Sequence, residues 1–90
     1  MSDIVMEYTC GACPVQAEGT VSGERFYFRA RGDRWRIGIG GTDPVFHPAW
    51  EYGEPYGEPG GLGAGWMDEE EANAFIRKSV ELWKKETGRG

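Results

Sequence analysis

Two cysteines lie three residues apart near the start of the chain, as Cys10-Gly11-Ala12-Cys13, which is the spacing of half a zinc knuckle. A structural zinc site needs four ligands, and the rest of the chain offers only His47 and carboxylates. An activated redox pair normally opens a helix, whereas Pro14 and a strand pattern follow this pair. We therefore predict no metal and no cofactor, with both cysteines on the inner face of a sheet as small apolar side chains. Zinc binding and a disulfide both stay open as alternatives.

Aromatic and acidic residues alternate in the second half of the chain, and a run of acids follows them. Carboxylates spread over a surface with planar aromatic rings between them can imitate phosphates and bases, and so occupy a cationic groove of a nucleic-acid-binding protein. Alternatively, the aromatic rings hold the segment on the core and the acids serve the helix dipole. The candidate partner-binding residues are Trp50, Glu51, Tyr52, Glu54, Tyr56, Glu58, Asp68, Glu69 and Glu70.

Arginines alternate with other residues around the sequence Gly32-Asp33, which places them on one face of two neighbouring strands. Like charges directly opposite each other are destabilising, so this face needs a compensating partner. A phosphate-bearing ligand or a nucleic acid is one possibility; Glu18 beside Arg29, with the acidic segment folded across the arginines, is the other and the one we favour. The residues of this alternative ligand face are Tyr27, Arg29, Arg31, Arg34 and Arg36.

Enzymatic signatures are missing from the sequence: it contains no Walker loop, dinucleotide fingerprint, nucleophile elbow or HExxH helix. The glycine-rich run Gly60 to Gly65 has no lysine and no strand-to-helix context of a phosphate loop. We therefore predict a binding protein and not an enzyme.

The length of 90 residues and the net charge of −5 set the broad class. A chain of this length forms one core, so we expect a single domain over residues 1–90 and a monomer. Net negative charge opposes direct binding of nucleic acid or an anionic membrane. The first residues carry an early acid and no long apolar run, which predicts a protein of the host-cell cytosol. The acids are concentrated in residues 43–71, a segment with no Lys or Arg.

Three pairs of residues with glycine in first place predict two-residue hairpin turns: Gly11-Ala12, Gly23-Glu24 and Gly32-Asp33. Each turn fixes a register, and all three registers place the apolar residues on the same face. The pairs include Tyr8 with Val15, Val21 with Phe26, and Phe28 with Ile37. We predict a four-stranded antiparallel meander in the order 1-2-3-4, with strands at residues 4–10, 13–22, 25–31 and 34–39.

A helix is predicted over residues 68–86, so the fold class is α+β, with this C-terminal helix on one face of the sheet. Asp68 and Glu71 have the spacing of a capping box, and Gly88 is suited to end the helix. Apolar residues recur at helical spacing at Ala72, Ile76 and Trp83. Residues 41–66 form a connection long enough to indicate a functional loop.

The acidic stretch Glu51 to Glu71 and the plan of a β-meander with one helix resemble small proteins of phages and other mobile elements, namely the anti-CRISPR inhibitors. Several of these inhibitors oppose type I systems. The resemblance implies that the acidic loop and the helix start form an inhibitory surface, which lies on a CRISPR surveillance complex or another basic nucleic-acid-binding protein where DNA would bind. The arginine face departs from a uniformly DNA-like surface.

Overall fold

The computed structural model describes residues 4–11, 15–61 and 63–88. The described elements are β1 Ile4–Gly11, β2 Val15–Val21, β3 Glu24–Arg31, β4 Arg34–Ile39, β5 Trp50–Pro55, a 3₁₀ helix Gly63–Trp66 and α1 Glu69–Thr87. The strands form one antiparallel sheet in the order β1-β2-β3-β4-β5. The predicted α+β class with an antiparallel sheet and one C-terminal helix is confirmed. The prediction of four strands is wrong, because the supposed loop 41–66 contributes a fifth.

The β3–β4 hairpin has the register that the sequence predicts. Phe28 pairs with Ile37 and Ala30 pairs with Trp35. Gly32 occupies the first turn position with φ +65°, a left-handed conformation that glycine adopts without steric cost. The arginines flanking this turn therefore lie on one face of the sheet, and the apolar residues lie on the other.

The β2–β3 hairpin turns one residue earlier than predicted, at Ser22-Gly23 instead of Gly23-Glu24. Val21 therefore pairs with Glu24, and not with Phe26. Both turn residues have positive φ, 49° and 81°, as in the type I′ turn, whose twist matches that of the flanking strands. The register differs from the predicted one by two residues, and because side chains alternate with period two, each residue keeps its predicted face.

The β1–β2 pairing also differs from the prediction. Tyr8 pairs with Ala17, and not with Val15, and an irregularity follows between Tyr8 and Cys10. Beyond it Cys10 pairs with Gln16, so the predicted pairing of Cys10 with Cys13 is wrong. The turn predicted at Gly11-Ala12 and the position of Cys13 lie partly outside the described residues, so zinc and disulfide formation stay untested.

Apolar side chains from β2, β3, β4 and α1 form the core on one side of the sheet, called here the inner face. Trp35 is fully buried and stacks on Phe75 of α1, with ring centroids 4.8 Å apart. Each large apolar side chain buried in this way contributes roughly 1.5–3 kcal/mol. The largest fully buried side chains are Trp35, Phe26, Phe28, Ile37, Ile39, Ile76, Val15, Val21 and Ser79.

The fifth strand, β5, pairs with β4 at the edge of the sheet, placing Tyr52 opposite Ile37 and Gly53 opposite Arg36. A Cβ at Gly53 would lie 2.5 Å from the carbonyl oxygen of Trp35, so glycine allows the two backbones to approach. Pro55 ends the strand, a position in which its missing N–H removes no central ladder bond.

The helix α1 has the caps that the sequence predicts. The Asp68 side chain accepts a hydrogen bond from the Glu71 N–H at 2.9 Å. Gly88 adopts φ 73° and its N–H donates to the Lys84 carbonyl, which ends the helix in an αL cap. Within the part of the chain that the structure describes, no helix has the length and apolar character that a membrane span requires.

The Ser22-Gly23 turn gives a test of the corrected register. We expect Ser22→Asn to raise the free energy of unfolding by about 0.5 kcal/mol, because Asn adopts positive φ more readily than Ser. The control Gly23→Ala should lower it by about 1 kcal/mol through backbone strain alone, because no neighbour lies within 4 Å of the added Cβ. Urea denaturation measures both changes, and a destabilised Ser22→Asn protein would contradict this turn.

Candidate interaction surfaces

The aromatic residues of the predicted partner-binding set face α1 and hold β5 against it. Trp50 Nε1 donates to Glu86 Oε1 at 3.1 Å, near the end of the helix. The Tyr56 hydroxyl donates to the carboxylate of Glu71, in the first turn of the helix. Strand and helix therefore run antiparallel and are joined at both ends; these contacts, with Tyr52 and Glu54 between them, are called here the β5–α1 seam.

Glu54 lies in the middle of the seam and accepts two hydrogen bonds. Its Oε2 is 2.5 Å from the Tyr52 hydroxyl and 2.5 Å from Lys78 Nζ. Hydrogen bonds from Lys78 first, and from Tyr52 second, lower the pKa of the Glu54 carboxyl. The same bonds to Glu54 raise the pKa of Lys78 and of Tyr52. The Glu54 carboxylate therefore has two partners within the chain.

The acids outside the seam lie in three places. Glu51 is on the opposite, outer face of the sheet, where Arg36 Nη2 donates to its Oε2 at 2.8 Å. Glu58 is exposed in the turn that follows β5. The Asp68 side chain caps α1, and Glu69 and Glu70 are exposed in its first turn. The predicted binding residues are thus distributed over the seam, the outer face and one end of the molecule.

Trp66 is one of the aromatic residues that the alternative interpretation places on the core, and the structure exposes its side chain instead. Its exposed fraction is 68%, whereas its neighbours Ala64 and Met67 are 0% and 3% exposed. A single aromatic residue in a glycine-rich segment carries no periodicity, so the sequence held no signal for its orientation. We call Glu58, Trp66, Asp68, Glu69 and Glu70 the acidic corner.

Backbone contacts bring the acidic corner to the end of the β3–β4 hairpin. The Gly60 N–H donates to Asp33 Oδ2 at 2.8 Å, and the Ala64 N–H donates to the Gly32 carbonyl at 3.0 Å. The Tyr56 N–H donates to the Asp33 carbonyl at 2.7 Å. The turn after β5 and the 3₁₀ helix are therefore fixed to the sheet, and they present the acidic corner from a supported backbone.

The outer face carries the arginines, which pair with one another across two strands. Arg29 is opposite Arg36, and Arg31 is opposite Arg34. The predicted neighbour of Arg29 is wrong: Gln16 lies opposite it, because the β2–β3 register differs by two residues. Of the acidic segment, Glu51 reaches this face and pairs with Arg36.

Arg29 has a further property that distinguishes it from a solvated surface arginine. Its Nε is buried and has no hydrogen-bond partner in the described part of the chain. A buried N–H without an acceptor lowers the stability of the fold, because the group has lost its hydrogen bonds to water and gained none within the chain. The helix lies on the other face of the sheet and does not cover these arginines.

A groove of about 470 Å³ lies on the outer face beside Tyr27. Its wall is the loop after β4, which rests directly on the sheet: a Cβ at Gly38 would lie 2.1 Å from the Pro44 carbonyl oxygen. The side chain of Val5, which also lines the groove, is 69% exposed. Phe46, which follows Val45 in the chain, is 77% exposed. The groove is lined by Glu18, Thr20, Arg25, Tyr27, Pro44 and Val45, among others.

The described residues contain no group of three or more His, Cys, Asp or Glu side chains placed to hold a metal ion. Cys13 is outside these residues. The chemistry that the described side chains support is charge recognition, by carboxylates at the acidic corner and by guanidinium groups on the outer face.

The hydrogen bond from Tyr56 to Glu71 makes a pH-dependent contribution to stability. It raises the pKa of the Tyr56 phenol from 10.0 to about 12 in the folded chain. The folded state therefore holds this proton more tightly, and the stabilisation is complete below pH 10 and lost as the pH rises toward 12. We expect the stability advantage of the wild type over Tyr56→Phe to shrink across that interval, measured by urea unfolding.

A double-mutant cycle with Glu71→Gln serves as the control for this prediction. In the Glu71→Gln background the carboxylate is absent, so Tyr56→Phe should show much less pH dependence. An equal pH dependence in both backgrounds would contradict the assigned hydrogen bond.

Comparisons with protein-family models, with curated proteins and with solved structures gave no match to this chain. The functional argument therefore rests on the residues and the geometry described above.

Proposed function

We propose that this chain is a non-enzymatic interaction protein of the anti-CRISPR type, which binds a basic, nucleic-acid-handling protein or surveillance complex and blocks its access to DNA. The observation that carries the proposal is the acidic corner: three acids in succession, Asp68 to Glu70, together with Glu58 and a tryptophan that is 68% exposed. Charged groups around an exposed aromatic anchor are typical of a protein interface.

The electrostatics of the acidic corner support this role. Residues 43–71 carry no Lys or Arg, so no cation of the same segment neutralises these acids. Such a concentration of one sign of charge steers a basic partner toward the surface and disfavours acidic ones. Trp66 would supply apolar contact area at the centre of the interface, where aromatic residues contribute most of the binding energy.

The β5–α1 seam has a supporting role in this proposal. Trp50, Tyr52 and Tyr56 use their polar atoms within the chain and hold the segment that leads to the acidic corner. Because strand and helix are joined before the partner arrives, little conformational entropy would be lost at that segment on binding. We expect the protein to act as a monomer, in the cytosol of the host cell and without a cofactor or a membrane.

A titration of duplex DNA against a purified type I surveillance complex tests the proposal. Wild-type protein should abolish DNA binding by the complex. We expect Glu70→Lys and Glu58→Lys each to weaken this inhibition about tenfold, because each reversal places like charges at the interface. Trp66→Ala should weaken it roughly 30-fold, the loss typical of a buried aromatic anchor.

Glu81→Lys is the matched control, because it makes the same charge change at an exposed position farther along α1. It should inhibit as strongly as the wild type. If wild-type protein leaves the complex fully able to bind DNA, the proposal fails for this partner class. If Glu81→Lys is as defective as Glu70→Lys, net charge and not the acidic corner is responsible.

A further inference from the structure

The arginine pairs on the outer face lower the stability of the folded chain. Cross-strand neighbours of like charge repel, and both Arg29–Arg36 and Arg31–Arg34 are direct pairs. Among the described residues, one carboxylate, that of Glu51, forms an ion pair on this face. This pair is exposed, with 53% and 59% of the two side chains accessible, so it offsets little of the repulsion.

From this arrangement we propose that the outer face binds single-stranded nucleic acid, with a base on Tyr27 and the phosphates on the arginines. The inference does not depend on the acidic corner, whose acids lie in the turn after β5 and at the start of α1 and not on the outer face. The net charge of −5 led us to expect no direct binding of nucleic acid. The local cluster of arginines on the outer face, and not the net charge, determines whether a phosphate is attracted there.

The groove beside Tyr27 is suited to a nucleobase. Its volume of about 470 Å³ lies within the range of small-ligand sites. Tyr27 offers an aromatic ring for stacking, and Pro44 and Val45 give an apolar wall. Thr20 and Arg25 provide donors for the edge of the base, and the Glu18 carboxylate and the Thr20 hydroxyl provide acceptors.

The arginines continue from the groove along the sheet. Side chains on one face of a strand repeat at about 6.5–7 Å, so Arg29 and Arg31 follow Tyr27 at regular intervals along β3. Arg34 and Arg36 lie beside them and line a second depression of about 450 Å³ above Gly53. A phosphate bound here would screen the repulsion between the arginines.

A single strand fits this surface better than a duplex. The bases of a duplex are stacked on each other and cannot reach Tyr27 on a sheet face, whereas a single strand exposes its bases for stacking on aromatic side chains. The acids on this face, Glu18 in the groove and Glu51 beside Arg36, oppose phosphate only locally. Glu18 faces the base position, where a carboxylate can accept from exocyclic amino groups.

Fluorescence anisotropy with labelled oligonucleotides of about 12 nucleotides, as single-stranded DNA, single-stranded RNA and duplex, tests the inference on the full chain. We expect single strands to bind with a strong salt dependence and the duplex to bind at least tenfold more weakly. In Arg31→Gln/Arg34→Gln the slope of log affinity against log salt should fall by about 1.4, since each single-strand contact contributes about 0.7. Tyr27→Leu should weaken binding about tenfold through lost stacking.

The matched control is Arg77→Gln/Lys85→Gln, which removes two exposed positive charges from α1. Its affinity should stay within about twofold of the wild type. Removal of the Arg31–Arg34 repulsion is not expected to unfold the test variant, and far-ultraviolet circular dichroism checks this. The inference is overturned if single strands do not bind, if the duplex binds equally well, or if the α1 control loses as much affinity as the arginine variant.

Discussion

The packing of Trp35 at the centre of the inner face is the contact on which the other elements depend. Its ring stacks on Phe75 of α1, lies 5.7 Å from the ring of Phe28, and meets Tyr52 of β5 edge-on at 5.8 Å. One side chain thus joins the central strands, the edge strand and the helix. Its indole Nε1 is buried without a partner in the described residues, so the burial of the ring must outweigh the cost of an unpaired donor.

Side chains of a β-strand alternate between the two faces of the sheet, and this alternation allows the strands and their faces to be predicted from the sequence. It does not determine the pairing register, because a shift of two residues gives the same faces. The β3–β4 hairpin was predicted in full because its turn has glycine in the first position, which is the turn chemistry that the structure uses at Gly32-Asp33. At Ser22-Gly23, and in β1 as far as Tyr8, a shift of two residues keeps every residue on its face, so the hydrophobic pattern cannot choose between registers. There the backbone of the turn decides, and positive φ at a serine is not apparent from the sequence.

The fifth strand was missed because its sequence has the composition of a loop, with Gly53, Pro55 and two acids in six residues. Its formation depends on long-range contacts: pairing with β4, and Tyr52 against Trp35. The position of this strand also determines which acids of the segment have cationic partners within the chain. It takes Glu54 to Lys78 and Glu51 to Arg36, so acids that seem equivalent in the sequence have different partners.

The two charged surfaces can act separately because of their positions and the range of electrostatic forces. The arginines lie on the outer face, whereas α1 covers the inner face and carries two acids of the corner, Glu69 and Glu70, in its first turn. The molecule measures 35 × 24 × 22 Å, and salt at physiological strength screens exposed charges beyond about 8 Å. The charges of each surface therefore act most strongly on a ligand bound within that distance of them. For this reason a net charge of −5 is compatible with an anion site among the arginines of the outer face and with attraction of a basic protein by the acids of the corner.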